Sequence, residues 1–444
     1  MNRIKMVMPV LFALLTLLWL SAENFSAISW SYFPVREIAI QYSGILAISA
    51  MSIAMLLALR LKPLEKFLNG LDKSYRLHKW LGISCLVVAI IHWFWTKGSK
   101  YMVAMGLLEK PAGRGKMPLP ADLSAIEAFF NSQRHLAESV GEWGFYLLIV
   151  LIVIALTKTI RYPKFLTTHR IISLVYLLFV FHTVILMKFT YWQQPIGWLV
   201  YTLIAAGAWA AMHSLCGRIG RRNKVQASVE QFHFFEDNKV LDITINTQHN
   251  WQGHNPGQFA FIKFTGEEPH PFTIASEHND KGNIRFQIKA LGDFTKRLKN
   301  NLNINDPVIV EGPYGYFNFK SETQRQIWVA GGIGIAAFTA QMEMLAQTPP
   351  LKQIDLFYCT QCPDNDFITY INQLAKQAKI NLHLRDTNKT EFLTAKKITE
   401  MIVSWEKADI WFCGPNNFEK KLRCDFAQLG LNVNNFHSEL FAMR

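Results

Sequence analysis

Four of the 13 histidines, His78, His92, His169 and His182, fall inside long, nearly uncharged apolar stretches. An imidazole in hydrocarbon is costly unless it has a partner, so its presence there points to function. Neutral imidazole is a metal ligand and the usual axial ligand of an electron-transfer haem. On a helix, the interval from His78 to His92 rises about 21 Å and ends about 40° short of four full turns, so both side chains project from one face. The interval from His169 to His182 is one residue shorter and leaves ideal positions about 140° apart. A local helix distortion, or His169 in a first turn, would reconcile that spacing with a shared face. Two helices running in one direction would set His78 beside His169 at one depth and His92 beside His182 at another, with two haems stacked between them. The plainer reading makes them bundle histidines bonded to backbone or hydroxyl groups. Two pairs at nearly equal spacing weigh against it.

Six stretches are long and apolar enough to carry such residues across a bilayer, which takes about 20 residues. They run Val7–Ala22, Ile38–Leu59, Leu77–Thr96, Val140–Thr157, His169–Met187 and Ile196–Leu215. The first, preceded by Arg3 and Lys5, also has the outline of a signal peptide, but Leu20-Ser21-Ala22 is a poor small-residue cleavage site and argues for an uncleaved anchor. His213, near the end of the sixth, has no matching partner and reads as structural. Three connecting segments are basic: Arg60, Lys62, Lys66, Lys73 and Arg76; Lys158, Arg161 and Lys164; and Arg218, Arg221, Arg222 and Lys224. Basic loops mark the cytoplasmic side, which puts the C-terminal half in the cytoplasm and the segment from about Lys97 to Ser139 outside. The net charge of +13, from 46 Lys+Arg against 33 Asp+Glu, is thereby explained by membrane topology and not by a nucleic-acid partner. The expectation is a multi-pass protein of the inner or plasma membrane, whose partners are the lipid bilayer and small molecules; the sequence names no protein partner.

From Val225 the periodicity changes. Val240–Asn246, Gln258–Phe264, Ile284–Lys289 and Val308–Glu311 are short β-rich runs separated by Gly, Pro and Asn, which predict a small antiparallel β-barrel. Beyond about Gln324, strands alternate with helices, and a parallel α/β nucleotide-binding sheet is expected. Gly331-Gly332-Ile333-Gly334 lies between a strand and a helix, where backbone N–H groups cradle a pyrophosphate. The fold class is thus a multidomain membrane protein: a six-helix transmembrane bundle over 1–222, a β-barrel over 223–323 and an α/β domain over 324–444. The six cysteines are scattered and imply no disulfide framework. No second Cys pair or nearby His completes a tetrahedral metal site with Cys359 and Cys362, and Cys359 reads as packing.

One further set of residues makes the reading specific. His270-Pro271-Phe272-Thr273 follows a barrel strand, and Gly292-Asp293-Phe294-Thr295 opens a helix. Glu311-Gly312-Pro313-Tyr314-Gly315 and Cys413-Gly414-Pro415 stand at ends of strands. With these motifs and the histidine spacing, essentially the whole chain resembles the NADPH oxidase and ferric reductase family, whose dehydrogenase half is similar to ferredoxin–NADP reductase. The resemblance implies FAD, two b-type haems with paired histidine ligands, and NAD(P)H as electron donor. It implies that Phe272 lies against the isoalloxazine, that Thr273 bonds near its N5, and that His270 stands near the diphosphate or ring edge. Gly292, Asp293 and Thr295 would form the second flavin motif, a helix N-terminus whose hydroxyl suits phosphate oxygens. Gly331, Gly332 and Gly334 would hold the dinucleotide, Gly414 and Pro415 would border the nicotinamide, and Cys413 would position the hydride donor. Phe441 is the candidate C-terminal aromatic over the flavin, moving aside for nicotinamide. Two departures stand out. Ala336-Ala337 replace the family's usual Thr-Pro after the third glycine, which puts the local helix start in doubt. No Arg stands at Thr360-Gln361-Cys362, where relatives hold a 2′-phosphate, and Arg385 is the substitute the sequence offers, leaving NADH and NADPH both open.

The functional expectation is transmembrane electron transfer from cytoplasmic NAD(P)H, through FAD and two haems, to oxygen (giving superoxide) or a ferric chelate outside. Arg114, Lys116, Arg134 and His135 in the outer segment would shape the acceptor site. Two other readings stand beside it: a membrane-anchored NAD(P)H:flavin reductase with structural histidines, and a non-enzymatic haem-binding membrane module.

Overall fold

In the computed structural model, the described residues are 2–109, 124–157, 162–248, 250–279 and 281–439. They fall into two compact units, one of residues 2–68 with 73–219 and the other of residues 69–72 with 220–439. The first is all helical: α1 (Asn2–Ala22), α2 (Tyr32–Ala58), a short α3 (Lys62–Leu68), α4 (Leu71–Ala104), α5 (Ala125–Leu156), α6 (Tyr162–Leu186) and α7 (Pro195–Leu215). Six of these, all but α3, are long and apolar enough to cross a membrane. Their outward faces carry Leu17, Trp143, Val150, Leu174 and Trp198, large apolar side chains left exposed. Exposed apolar surface on this scale belongs against lipid.

The interior of the bundle is built on small residues and a few buried hydroxyls. The Tyr176 ring on α6 is fully buried; its hydroxyl lies 2.8 Å from Ser52 Oγ on α2 and donates to the Ile204 carbonyl on α7 at 3.3 Å. A Cβ on Gly207 would stand 2.2 Å from that hydroxyl, so the glycine is what lets α7 approach. At the C-terminal end of α1, Trp19 donates to the Tyr191 hydroxyl at 3.2 Å and Lys188 pairs with Glu23 at 2.8 Å.

The segment expected outside the membrane is helical over much of its described length. α4 continues through Lys97 to Ala104, and α5 starts at Ala125. Ser124 caps α5 through a reciprocal capping box with Glu127, and Arg134 pairs with Glu138 one turn on at 3.2 Å. These local interactions extend a helix beyond its apolar part, and hydropathy alone does not report them. Arg114 and Lys116, like Lys158 and Arg161, lie outside the described residues.

The second unit holds two sheets. β1 (Lys224–Phe235), β2 (Val240–Asn246), β3 (Phe259–Phe264), β4 (His270–Thr273), β5 (Asn283–Lys289) and, after α8 (Asp293–Asn301), β6 (Pro307–Tyr314) form one antiparallel sheet in the order β4-β3-β6-β1-β2-β5. It is an open sheet and not the closed barrel expected from the sequence. The edges β4 and β5 share one isolated bridge, Ile274 with Phe286. Edge strand β4 is four residues long and includes Pro271, which has no N–H to give to a ladder. The second sheet is parallel, from β7 (Arg325–Gly331), β8 (Gln353–Thr360), β9 (Asn381–Asp386), β10 (Ala408–Cys413) and β11 (Phe436–Ser438). Its order is β11-β10-β7-β8-β9, with α9 (Ala336–Gln347), α10 (Asn365–Gln377), α11 (Ala395–Met401) and α12 (Asn416–Gln428) in the connections. The chain passes outward from β7 to β9 and then crosses back to β10, so the switch in strand order lies between β7 and β10.

A buried histidine ties two loops of the first sheet together. Trp251 Nε1 donates to His254 Nδ1 at 3.0 Å, so the other nitrogen carries the proton and donates to the Ser276 carbonyl at 2.9 Å. Burial pushes the His254 pKa down to about 4 from 6.5. Between those values the unfolded chain binds the proton and the folded chain does not. Stability from this group is therefore full above pH 6.5 and is lost as pH falls towards 4, by up to about 3 kcal/mol. The substitution His254→Gln, which offers one acceptor and one donor without titrating, is expected to flatten the fall in thermal stability across that window. Equal pH slopes in the two proteins would contradict the assignment.

Candidate functional site

The helices bring the four membrane histidines together in two pairs. His78 on α4 and His169 on α6 have ring centroids 5.8 Å apart, and His92 and His182 on the same two helices are 6.3 Å apart. A direct N–H···N hydrogen bond would set imidazole centroids about 5 Å apart. Two nitrogens each bound at about 2 Å to one metal between them would set the centroids about 6 Å apart. The observed spacings fit the second case. The far nitrogens support it: His78 Nδ1 lies 2.8 Å from the Ala54 carbonyl, His92 Nδ1 3.1 Å from that of Ile40, and His182 Nδ1 2.8 Å from that of Ala137. A carbonyl only accepts, so each Nδ1 carries the proton and each Nε2 keeps a free lone pair, the tautomer a metal needs. His169 Nδ1 is buried with no hydrogen-bond partner among the described residues. Each pair is thus a fitting set of axial ligands for a haem iron.

The shorter interval on α6 is not accommodated in either way expected. α6 runs unbroken from Tyr162 to Leu186, and His169 lies two turns inside it. Glycines on neighbouring helices make room for the rings. A Cβ on Gly141 of α5 would stand 2.1 Å from His182 Nδ1, and one on Gly44 of α2 would stand 3.4 Å from His92 Cε1. His213 bonds back to the Trp209 carbonyl at 3.0 Å and packs on that indole, a local structural role.

In the second unit the two flavin motifs meet. The His270 ring on β4 stacks on Phe294 of α8 at 4.3 Å and 9°, and burial lowers the imidazole pKa, opposed by Glu267 and Glu268. Pro271 and Phe272 are half-buried beside it. Thr273 Oγ1 is buried with no hydrogen-bond partner among the described residues. Thr295 behaves differently from expectation. Its hydroxyl accepts from the N–H groups of Leu291 and Gly292, each at 3.0 Å, closing the turn before α8 and not facing outward to a phosphate. Gly292 and Asp293 are exposed at that helix start.

At the switch between β7 and β10 the two glycine turns touch backbone to backbone. A Cβ on Gly334 would stand 2.0 Å from the Cys413 carbonyl oxygen, and one on Gly414 3.0 Å from Gly331 Cα. A Cβ on Gly331 would stand 2.7 Å from Pro415 Cδ. Gly332 adopts φ +55°, which favours glycine. Residues Gly332–Ile335 form a short 3-10 turn and α9 begins at Ala336, so the missing Thr-Pro leaves the helix start in place. Cofactors bind at such a switch in open α/β sheets. Cys413 is fully buried; burial pushes its thiol well above the ordinary value, and the Glu439 carboxylate adds to the rise. Cys359 is likewise buried, its thiol pushed up to about 12, in keeping with packing. Phe441 lies outside the described residues.

Two residues at this site escaped the sequence reading. Lys289 ends β5 three positions before Gly292, and its Nζ comes within 3.9 Å of where a Cβ on Gly332 would stand, linking the second flavin motif to the glycine turn. Glu439 comes close to Gly315 as well as to Cys413. A lone Lys at the end of a strand carries no signal of its own; its nearness to a motif 40 residues on exists only in the fold.

A family model described as the ferric reductase like transmembrane component matches residues 43–180, and one described as an FAD-binding domain matches residues 224–318. Among curated proteins, the chain is similar to the reductase component of propane 2-monooxygenase from Rhodococcus jostii (strain RHA1). That match is 26% identical over 123 residues, 27% of this chain and 33% of that protein. It is also similar to the 2-halobenzoate 1,2-dioxygenase electron transfer component of Burkholderia cepacia, at 25% over 199 residues, 42% of this chain and 58% of that protein. The chain thus covers between one third and three fifths of these relatives. Similar solved structures include a ferredoxin reductase in carbazole 1,9a-dioxygenase, with TM-score 0.43 and 20% identity over 49% of this chain and 69% of that one. Another is the FAD/NAD-binding domain of nitric oxide dioxygenase from Vibrio cholerae O1 biovar El Tor, with TM-score 0.43 and 19% identity over 48% and 97%.

The close approaches give two tests. Gly141→Ala forces His182 to move and is expected to halve the haem bound per chain, read by absorbance after extraction, whereas Gly82→Ala, with nothing within 4 Å, leaves it unchanged. Full haem content in Gly141→Ala would contradict the His182 assignment. Gly334→Ala is expected to slow flavin reduction by NAD(P)H by about tenfold or more with flavin still bound, since the added methyl drives the two turns apart. Unchanged reduction would remove the turn from the dinucleotide site.

Proposed function

We propose that the chain is a member of the NADPH oxidase and ferric reductase family and that it carries electrons from cytoplasmic NAD(P)H, through FAD and two b-type haems, to an acceptor across the membrane. It is an oxidoreductase with a multi-pass membrane component and an FAD-binding reductase component. The observation that carries the proposal is the pair of imidazole contacts at two levels of α4 and α6. When bound, flavin takes a hydride's two electrons together and releases them singly, and haem passes one at a time.

The residues divide the work in the same order. The turns Gly331–Gly334 and Cys413–Pro415 would hold the dinucleotide, with Cys413 closing the wall behind the nicotinamide. Thr273 would bond the flavin ring through its free buried hydroxyl, and His270 stacked on Phe294 would flank it. Phe441 would cover the ring until nicotinamide displaces it. His78 with His169 would hold one haem, and His92 with His182 the other. Arg218, Arg221, Arg222 and Lys224, which follow α7, support a cytoplasmic FAD and nucleotide unit. The division at about residues 222 and 323 is part of the same reading. The acceptor is oxygen, giving superoxide, or a ferric chelate; with both histidines of each pair committed to a haem, the acceptor would need no site on the metal. Lys97, paired with Glu142 at 2.6 Å, follows His92 on α4, and Arg134 with Glu138 flanks Ala137, the carbonyl partner of His182.

Anaerobic addition of NADH or NADPH to the purified chain, followed separately by oxygen and ferric citrate, tests the order. Flavin and then haem absorbance should reduce, and the true acceptor should reoxidise both. His92→Ala should drop acceptor reduction to background while flavin reduction continues. An anchored flavin reductase would show no haem spectrum, and a binding module would carry haem that neither nucleotide reduces.

A further inference from the structure

We infer that this chain takes NADH in preference to NADPH and that Asp386, at the tip of β9, sets the preference. The inference rests on the proposed dinucleotide site and adds which dinucleotide occupies it. Where a pyrophosphate lies at the glycine turn after one strand of a parallel sheet, the adenosine ribose reaches the carboxyl end of the next strand. An acid there suits a free 2′-hydroxyl, and an Arg suits a 2′-phosphate. Here the glycine turn follows β7, and the next strand, β8, ends at Thr360.

Thr360 is in register with Asp386. The turn after β9 is laced to that tip: Thr387 N donates to the Thr360 carbonyl at 2.9 Å, and the Asn388 side-chain amide donates to the Gln361 carbonyl. Asn388 N donates to Asp386 Oδ1 at 3.0 Å, which fixes the carboxylate. Its other oxygen stands 3.7 Å from Lys389 Nζ, but that lysine is 81% exposed, and a pair so open to water neutralises little. Asp364, which caps α10 shortly after β8, adds a second carboxylate, one oxygen accepting from Phe367 N at 3.0 Å and the other from Asp237 N at 3.2 Å. A 2′-phosphate would bring its charge against these fixed acids.

Arg385, the sequence's candidate for that phosphate, is turned away. Neighbours on a strand point to opposite faces. Arg385 is in register with Cys359, which packs in the cluster with Ala395 and Ile398 of α11, and its guanidinium donates to Met401 Sδ at 3.2 Å. Met401 is the last residue of α11, which leads back from the carboxyl ends of the strands towards the start of β10. The guanidinium therefore extends down the sheet, away from the glycine turn. Cation removed and carboxylate retained act in the same direction, as repulsion of the wrong ligand.

The test is anaerobic stopped-flow bleaching of the flavin in the purified full chain, over a range of NADH and NADPH concentrations. The native chain should favour NADH by about tenfold or more in kcat/KM, equivalent to one decade of discrimination. Asp386→Asn keeps an acceptor for Asn388 N and should lower that ratio several-fold through NADPH alone. Gln361→Arg, placing a cation at the tip, should lower it further by tightening NADPH. A native preference for NADPH, or a ratio unmoved by Asp386→Asn, overturns the inference while leaving the dinucleotide site standing. Failure of both nucleotides to bleach bound flavin would remove the dinucleotide site itself.

Discussion

An imidazole ring placed in hydrocarbon has two nitrogens to satisfy, one as donor and one as acceptor, and no water to do it. In this bundle three of the four donors go to main-chain carbonyls, those of Ala54, Ile40 and Ala137. Carbonyls on helices are ordinarily committed one turn along, so these must serve a second donor, which a carbonyl oxygen with two lone pairs can do. What is left on those three rings is the Nε2 lone pair, and the rings of each pair stand too far apart for a hydrogen bond between them. The close approach of α5 through Gly141, the room left by Gly44 and the shared direction of α4 and α6 all follow from holding that geometry. A metal held between the rings of each pair would satisfy the two nitrogens of that pair.

The second unit meets a different constraint: backbone has to come close to backbone. The turns at the ends of β7 and β10 are spaced so that Gly331, Gly334 and Gly414 leave no room for a methyl group. That closeness puts main-chain N–H groups at the switch in strand order, and Lys289 from the other sheet reaches the same turn. The flavin motifs, distant in sequence, are joined by the stack of His270 on Phe294. The two sheets are held as one unit by Arg285 of β5, which meets Glu343 of α9, Tyr370 of α10 and the Ala275 carbonyl.

How much of this the sequence revealed depends on the range over which each signal acts. Apolar length and the spacing of His78, His92, His169 and His182 are properties of single helices, and they were legible. So were Gly331–Gly334 and four of the five strands of the parallel sheet; the three-residue β11 is too short to carry a pattern. β1 was missed because a bulge between Val229 and Gln231 breaks its alternation. Alternation says nothing of how edges meet, so it does not separate a closed barrel from an open sheet whose edge strand β4 carries Pro271. The helical reach of α5 depends on the capping by Ser124, the inward role of Thr295 on bonds within its own turn, and the direction of Arg385 on which face of β9 it occupies. Lys289 and Glu439 acquire meaning only from partners that folding brings near.

The central claim, that two metal centres lie between α4 and α6 in series with a flavin, is tested most directly by counting electrons. Anaerobic titration of the purified chain with dithionite, followed at flavin and haem wavelengths, should consume two electrons for the flavin and one for each of two haems. Uptake by the flavin alone, with no absorbance change assignable to iron held by two histidines, would contradict the account.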